Sequence, residues 1–410
     1  MASASEEITP KMDQRSDKSV PHSASDVEKQ AAAPKDELQR KLSSRHLQFV
    51  AIGGTVGTGV FIASGGSIAT AGPAGALLAY VFVGTLVYSV MLSLAEMATY
   101  LPISGAFTQY AARFVDPSLG FSMGWIYWFS WSITYALELT AAGLIIQWWD
   151  SDLSIGIFIT IFWVPITAVN FLPVDIFGEF EFWFALIKVV ALVGFWIYAI
   201  CMNAGVGAQG YIGFKYWDSP GAFAPYLAEG AVAKFVGFWA VLIQAGFAYQ
   251  VTAAMGLLAY MNLSSNGGEA FNWLLNIVSV AGFIAWTCVL VCHLSFMRAL
   301  KAQNIDRDTL PFKSWGGRPL AIYGVTFCAI ITITQGFTAF VPWSTEDFFI
   351  AYISLILFAV LYLGHKIVTR SKFINPAEAD LLTGKFEDEE SETWEESSAS
   401  GWKKFMNKFL

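Results

Sequence analysis

Apolar residues in this chain of 410 residues are gathered into stretches as long as a membrane-spanning helix. At 1.5 Å per residue, about 20 apolar residues cross a hydrocarbon core of about 30 Å. Nine stretches approach or exceed that length: Gln48–Ile68, Gly75–Met97, Leu119–Trp148, Ser154–Phe171, Phe182–Met202, Val232–Met261, Phe271–Leu294, Leu320–Val341 and Phe348–Ile367. A water-soluble fold cannot bury so many apolar helices, so the pattern predicts an all-α polytopic membrane protein.

Polar residues dominate the two ends of the chain and indicate three regions. Residues 1–45 are rich in Ser, Ala and charged side chains and cannot bury a core, which predicts a disordered tail. Residues 46–370 hold the apolar stretches and form the predicted transmembrane domain. Residues 371–410 form a second predicted tail, which contains the acidic cluster Glu387–Glu390. The polar start predicts no cleavable signal peptide, so we expect the first apolar helix to direct membrane insertion.

Composition and charge argue against several other classes of protein. Charged residues make up 14% of the chain, against about 25% in a soluble domain. The net charge is −8 and no basic stripe is present, so we expect no nucleic-acid partner. No paired carboxylates, zinc-ligand spacing or nucleophile with a base stands out, which predicts neither an enzyme nor a metal or cofactor site. We expect four cysteines to be small core residues: Cys201, Cys288, Cys292 and Cys328.

Basic residues in short loops predict the orientation, because such loops usually remain in the cytoplasm. Four of them lie directly before the first stretch: Lys35, Arg40, Lys41 and Arg45. We therefore expect the N-terminus in the cytoplasm. The uncharged connection Ser64–Ala74 would then lie outside, whereas Leu101–Ser118, which carries Arg113, would lie inside.

The same charge rule fails after the stretch Val232–Met261. If this stretch crosses the membrane once, the most basic connection, Arg298–Arg318, falls outside, and the later loops also have the wrong sign. All of them become consistent if Val232–Met261 both begins and ends outside. Either the stretch is re-entrant, or an odd number of crossings is missing at this point. The sequon Asn262-Leu263-Ser264 agrees with an outside position, although such tripeptides also occur by chance.

The first stretch contains a glycine-rich run, Gly53-Gly54-Thr55-Val56-Gly57-Thr58-Gly59. Glycine is unfavourable inside a helix, and non-helical backbone in a membrane must line a cavity or be buried in protein. One interpretation is a broken helix whose free N–H groups bind a carboxylate. The alternative is a small-residue face for close helix packing. Spacing alone leaves both interpretations open.

Two ionisable residues lie inside predicted spans, where a charge is costly and usually functional. Glu138, in the third stretch, is a candidate proton site or a partner for a substrate's amino group; the structural alternative is a hydrogen bond between helices. Lys188 lies about a third of the way along Phe182–Met202. Its amine would replace a bound cation or titrate during transport, or it would reach the nearer membrane interface.

A set of ordered motifs resembles the fungal amino-acid permeases of the amino-acid/polyamine/organocation superfamily. The matching segments are Arg45–Gln48, Ala51–Gly59, Gly72–Gly75, Glu96, Pro102–Phe107, Arg113–Pro117, Gly120–Trp125, Leu137–Leu139, Gly210–Gly213, Leu300–Gln303 and Asp308–Lys313. They cover most of the chain outside the tails. One glycine motif would be unspecific, whereas this ordered set is specific.

The resemblance implies a LeuT-like fold of two inverted five-helix repeats with two extra helices. It also implies proton-coupled import of amino acids across the plasma membrane. The expected partners are an amino-acid substrate, protons and the lipid bilayer. The tails would suit ubiquitin-type trafficking machinery.

The resemblance assigns substrate binding to Thr55, Gly57, Thr58, Gly59, Glu138, Phe247, Tyr249 and Trp286. Backbone amides of the glycine run would bind the α-carboxylate of the substrate. Phe247 and Tyr249 match the entry to the second broken helix of the family, and Trp286 matches an aromatic residue near the pocket. Lys188 would take the place of a sodium ion in sodium-coupled relatives and, with Glu138, is a candidate for proton coupling.

The chain departs from the family after Tyr249, where Gln250-Val251-Thr252 replaces the usual Gly-Thr-Glu break. Compared with the family, it skips the second half of helix six, helices seven and eight, and the start of nine. The fold would then be incomplete, with about nine apolar segments instead of twelve. A half-helix that enters from outside would be joined to one that leaves to the outside, which explains the reversed loop charges.

Two functional hypotheses follow from these observations. The first is a proton-coupled amino-acid permease whose present chain transports poorly, because buried polar groups lose partners when helices are missing. The alternative is a non-transporting membrane sensor or regulator derived from a permease. Uptake driven by a proton gradient would favour the first, and ligand binding without flux would favour the second.

Overall fold

The structure is a computed structural model, and it describes residues 49, 57, 59–103, 105–147, 149, 154–169, 171, 174–208, 210–249, 267–340 and 342–385. The α-helices among these residues are α1 (Ser64–Tyr100), α2 (Ala106–Phe114), α3 (Pro117–Gln147), α4 (Ile155–Val169), α5 (Val174–Asn203), α6 (Gly230–Ala248), α7 (Gly267–Ala302), α8 (Gly317–Thr334) and α9 (Thr345–Thr369). A π-helix at Gly59–Ala63 leads into α1. Short 3-10 turns follow at Arg307–Thr309 and Phe337–Ala339.

Seven helices in the described ranges are long and apolar enough to cross a membrane: α1, α3, α5, α6, α7, α8 with its following turn, and α9. The apolar helix α4, at 15 residues, is shorter. The prediction of an all-helical polytopic protein is confirmed. Of the predicted stretch Val232–Met261, the part up to Ala248 is helical, and the part from residue 250 lies outside the described residues. Most of Gln48–Ile68 also lies outside them.

The predicted connection Ser64–Ala74 is helical except at Gly72, where two helical segments meet, and its position outside the membrane stays a prediction. Ser67 is buried in this segment, and its hydroxyl donates to the Ala63 carbonyl and contacts Gln244 Oε1, both at 2.9 Å. The interruption lies at Gly72, with φ of +76°, directly before Pro73. Proline disfavours helical backbone at the preceding residue, and glycine tolerates the positive φ.

The kink at Gly72 exposes backbone groups that a distant segment satisfies. The Ala74 N–H donates to the Ala222 carbonyl at 2.9 Å, and the Ala224 N–H donates to the Ala71 carbonyl at 3.1 Å. A Cβ at position 72 would lie 2.6 Å from the Ala224 nitrogen, so only glycine permits this approach. The connection before α6 is therefore hydrogen-bonded to the first third of α1, at the break.

Helix α7 lies at the centre of the packing and contacts α1, α2, α3, α6, α8 and α9. Its side chains Phe283, Leu290 and Phe296 are fully buried in the main apolar cluster, together with Leu86 from α1 and Leu242 from α6. Three cysteines are buried in this cluster, as expected: Cys288, Cys292 and Cys328. The expectation is wrong for Cys201, which is exposed near the end of α5.

Helix α5 differs from the other long helices because its described side chains are mostly exposed. Only Gly178 and Ala185 are buried among them. Large apolar side chains on several faces, including Ile187, Val190 and Trp196, are each about 60% exposed. Lipid would cover such apolar faces, so this exposure is compatible with a membrane but leaves α5 with little protein packing.

Residues 371–385 pack on the same end of the bundle as the basic connection. Ala379 and Leu381 are buried in the main cluster. The Gln303 side-chain amide donates to the Ala379 carbonyl at 2.7 Å, and the Ile374 N–H donates to the Val115 carbonyl at 2.9 Å. The packed part of the chain thus extends beyond α9.

Candidate functional site

The glycine run is described at Gly57 and from Gly59 onward, whereas Thr55 and Thr58 lie outside the described residues. The Gly57 carbonyl accepts the Val60 N–H at 3.0 Å and the Phe61 N–H at 3.4 Å, so helical backbone begins here. The first N–H groups of a helix have no partner within it. Gly59 is one of these first residues, and the resemblance implies that their N–H groups bind the carboxylate of the substrate.

Gly59 lies directly against the end of α6. A Cβ at position 59 would lie 2.3 Å from the Ala248 Cα and 2.7 Å from its nitrogen. A side chain there would collide with backbone, which cannot give way as a flexible side chain can. The structure thus brings Gly59 together with the Phe247–Tyr249 segment, as expected if both belong to one site.

An apolar cluster surrounds this meeting point. Phe247 is buried in it with Ala63 from the start of α1, Leu137 from α3 and Phe271 from α7. Glu138 follows Leu137 on α3 and is half-buried. Four elements therefore converge beside the glycine run, and the carboxylate-bearing helix is one of them.

Tyr249 ends α6, and Trp286 lies on α7. The Tyr249 hydroxyl donates to the Tyr80 carbonyl at 3.2 Å, and Gly84 makes room for its ring. The Trp286 ring meets Phe283 edge-on, with centroids 4.9 Å apart. Phe283 in turn fills the space at Gly246, where a Cβ would lie 2.4 Å from its Cε2 atom. Trp286 is therefore connected to the end of α6 through Phe283, whereas Tyr249 directly follows Ala248.

Lys188 is half-buried on α5. The same helix contacts the segment before the glycine run through Phe182, whose ring centroid lies 4.5 Å from that of Phe49. This ring contact links α5 to the first apolar stretch. The role of Lys188 in proton coupling stays a prediction.

A buried ionic cluster that the sequence reasoning did not assign lies at the C-terminal end of α1. Glu96 is fully buried, and Arg307 from the basic connection binds both of its oxygens, Nε to Oε1 at 2.5 Å and Nη2 to Oε2 at 2.7 Å. Ser314 donates to Oε2 from its hydroxyl at 2.5 Å and its N–H at 3.2 Å. His293 Nε2 on α7 contacts the same oxygen at 3.1 Å.

This Glu96 cluster joins α1, α7 and the basic connection through charge-assisted hydrogen bonds, which are among the strongest in proteins. The signal that could have identified it is a carboxylate near the end of a membrane helix, combined with several basic residues in one later loop. The hydrogen bond to Glu96 also raises the pKa of the Arg307 guanidinium, so this residue stays cationic.

A second buried carboxylate, Asp116, lies between α2 and α3. Its Oδ1 accepts the Ser118 N–H at 2.8 Å and the Ser371 hydroxyl at 2.6 Å, and its Oδ2 pairs with the Lys366 ammonium. Burial by itself would raise the pKa of Asp116, but the hydrogen bonds from Lys366 and Ser371 outweigh burial and hold it below its ordinary value. This Asp116 cluster ties α9 to the start of α3.

Comparison with known proteins identifies a family for most of the chain. The model of the family described as "Amino acid permease" matches residues 46–259 and 248–375. The chain is 32% identical to the lysine-specific permease of Saccharomyces cerevisiae, over 92% of this chain and 84% of that protein. It is 34% identical to the lysine/arginine permease of Candida albicans, over 80% of each chain. No solved structure matches the chain significantly.

A third relative, the proline-specific permease of Emericella nidulans, is 31% identical over 85% of this chain and 89% of that protein. The alignments also locate a difference in length. The alignment with the lysine-specific permease runs over 511 positions, whereas 92% of this chain is about 377 residues. About 134 aligned positions therefore have no counterpart here. The two matches to the family model meet at residues 248–259, the predicted junction.

Proposed function

Since this chain belongs to the amino acid permease family and is a multi-pass membrane protein, we propose that its intact form couples amino-acid import to the proton gradient. We place this activity at the plasma membrane. The observation that carries the proposal is the family match over residues 46–375 together with its permease relatives. The convergence of Gly59 with Phe247–Tyr249 supports it, because two interrupted helices facing each other offer backbone groups to a charged substrate.

The proposed substrates are cationic amino acids, lysine and arginine. Relatives at 32% and 34% identity are named for lysine or for lysine and arginine, although one at 31% is named for proline. A cationic side chain needs an acceptor inside the membrane, and the half-buried Glu138 stands on a helix that reaches the site. In this proposal the glycine-run amides bind the α-carboxylate, and Phe247, Tyr249 and Trp286 enclose the substrate.

We also propose that the present chain transports poorly or not at all. The junction near residues 250–251 removes the segment that would complete the second broken helix and the second inverted repeat. Alternating access in such folds moves one repeat against the other around the site. The exposure of the α5 side chains supports this proposal. Lys188, which is proposed for coupling, lies on the helix with the lowest buried share among the seven described spans.

The internal gap also supports the second candidate, a non-transporting sensor or regulator. The Glu96 cluster joins α1, α7 and the basic connection, and the Asp116 cluster joins α9 to the start of α3. These contacts support a chain that folds without transporting its ligand. Ligand binding by the purified chain without uptake would favour this function. Sequencing of transcripts across the codons for Tyr249 and Gln250 decides whether the shortened form is the expressed one.

The orientation proposed is a cytoplasmic N-terminus, with both tails available to ubiquitin-type trafficking machinery. The positive-inside rule and the outside position it gives to residues 262–264 support it. Expression in a glycosylating cell tests it directly. We expect a glycosidase-sensitive mass shift that Asn262→Gln removes, and a shift that persists in Asn262→Gln would contradict this reading of the sequon.

The transport proposal is tested in a restored form, with the internal segment of the yeast lysine-specific permease inserted after Tyr249. We expect cells that lack lysine uptake to accumulate labelled lysine, faster at acidic external pH, with competition by arginine and little by proline.

In the same restored form, Lys188→Ala should weaken the dependence of uptake on external pH more than it weakens substrate binding. Lys215→Ala, in an exposed connection, serves as the control. Competition by proline alone would contradict the substrate class, and unchanged pH dependence would contradict the role of Lys188.

A further inference from the structure

A groove of about 590 Å³ lies on the surface of the bundle between α1, α6 and α8. It is separate from the candidate substrate site. Its α1 wall is formed by Leu78 and Val81, which are 51% and 57% exposed, whereas Tyr80 and Gly84 of the same helix face Tyr249. The residues that line the groove include none of the Phe247–Tyr249 segment.

Aromatic side chains fix the floor of this groove. Phe82 meets Phe238 edge-on with centroids 6.3 Å apart, and meets Phe327 edge-on at 5.3 Å. Phe82 and Phe238 also pack against the main apolar cluster. Rings held by edge-on contacts and by the core do not close over the groove, so an occupant meets a preformed apolar surface.

The two ends of the groove differ in charge. At one end Lys234 lies one turn inside α6, is exposed, and has no ion-pair partner within the described ranges. At the other end the Thr85 and Tyr323 hydroxyls lie 2.7 Å apart and satisfy each other. The lining therefore offers one available cation at the terminus of an otherwise apolar path.

Position along the helices gives the depth of this cation. Helix α6 begins at Gly230, so Lys234 is about 6 Å from the helix start. A lysine at that depth reaches the headgroup region by extending its apolar stem along the surface. The α1 wall from Leu78 to Thr85 runs for about 10 Å toward the membrane interior.

We propose that this groove binds one anionic phospholipid, with its phosphate and headgroup at Lys234 and one acyl chain along Val81 and Phe235. Apolar contacts alone would not select this lipid, because lipid tails are as apolar as the groove lining. Selection comes from Lys234, and a lysine near the membrane surface favours an anionic headgroup by about fivefold (about 1 kcal/mol).

Titration of the purified 410-residue chain in detergent with phosphatidylserine and with phosphatidylcholine of the same acyl chains, followed by native mass spectrometry, tests the proposal. We expect Lys234→Gln to reduce the affinity for phosphatidylserine about fivefold and to leave that for phosphatidylcholine unchanged. Lys215→Gln, at an exposed lysine outside the groove, should change neither. Val81→Trp should weaken both lipids by filling the groove, with a circular dichroism spectrum that reports an intact fold.

Three results would overturn the proposal. One is that Lys234→Gln keeps an unchanged preference for phosphatidylserine. Another is that Lys215→Gln loses as much affinity for phosphatidylserine as Lys234→Gln does, which would indicate an effect of general surface charge. The third is displacement of bound lipid by a sterol with no dependence on headgroup charge. Because the readout is lipid binding, a negative result would leave the proposed transport function untouched.

Discussion

Helices α7 and α5 are both long and almost equally apolar, yet they are packed very differently. Their most apolar segments have mean hydropathies of 2.2 and 2.3, but 61% of the residues in the α7 segment are buried and only 6% in that of α5. Hydropathy therefore places both helices in the membrane and says nothing about their neighbours. Packing depends on which partners the rest of the chain supplies.

The polar residues on the two helices show what that difference means for function. On α7, His293 meets Glu96, which Arg307 also binds, so the buried charges are compensated by residues far away in the sequence. On α5, Lys188 and Glu181 are half-buried on a helix with mostly exposed neighbours. The family alignment places the internal gap between α6 and α7. We infer that the segments absent at this gap would pack against α5 and cover part of its exposed surface.

The largest expected effect concerns the Glu96 cluster. Glu96→Gln removes the buried negative charge and leaves Arg307 without its ionic partner, so the free energy of unfolding should fall by about 3–5 kcal/mol. The matched change on α5, Glu181→Gln, should cost less than about 1 kcal/mol. Chemical unfolding of the purified chain in mixed micelles measures both. Equal losses would show that the two helices are stabilised alike.

Two glycine-to-alanine substitutions should change the free energy of unfolding by smaller amounts and in opposite directions. Gly246→Ala places a methyl group 2.4 Å from Phe283 on α7 and should destabilise by about 1–3 kcal/mol. On α5, a Cβ at Gly194 meets nothing within 4 Å, so Gly194→Ala should stabilise by about 0.5–1 kcal/mol through its better helix propensity. Melting temperatures in detergent reveal the signs. A lower melting temperature for both variants would show that protein also packs against α5 at Gly194.

The smallest expected effect is a pH dependence from Asp116. Its pKa is lowered in the folded state, so the folded chain binds fewer protons than the unfolded chain. The stabilisation is complete above the ordinary carboxyl pKa of about 3.9 and is lost as the pH falls through and below it. Melting temperatures between pH 6 and pH 3 should fall more in the wild type than in Asp116→Asn. Parallel curves would contradict this assignment.

Sequence reasoning recovered the class of the protein and most spans because hydropathy is a local property. The spans corresponding to α3, α7 and α9 were predicted to within several residues at most ends. The break at Gly72 lies inside the predicted connection Ser64–Ala74, but its reduction to a single residue was not predicted, since it depends on backbone hydrogen bonds with Ala222 and Ala224, more than a hundred residues later. The short helix α2 was also missed, because it is too short to give a span-length signal.

The candidate site was only partly predictable for the same reason. The glycine run and the Phe247–Tyr249 segment were proposed from their motifs, and their contact through Gly59 and Ala248 became visible only in the fold. Glu96 was noted as a matching residue without a role, since its partner Arg307 lies 211 residues away. Local pattern identifies which residues are unusual, whereas the partners that satisfy them come from tertiary structure.

Uptake by the purified 410-residue chain in liposomes tests the central claim, that the internal gap leaves an amino-acid permease assembled but unable to transport. Labelled lysine would be supplied outside with an inward proton gradient, beside liposomes that contain the restored form. We predict flux through the restored form only, with the short chain no faster than protein-free liposomes. Gradient-dependent uptake by the short chain at a comparable rate would contradict the claim.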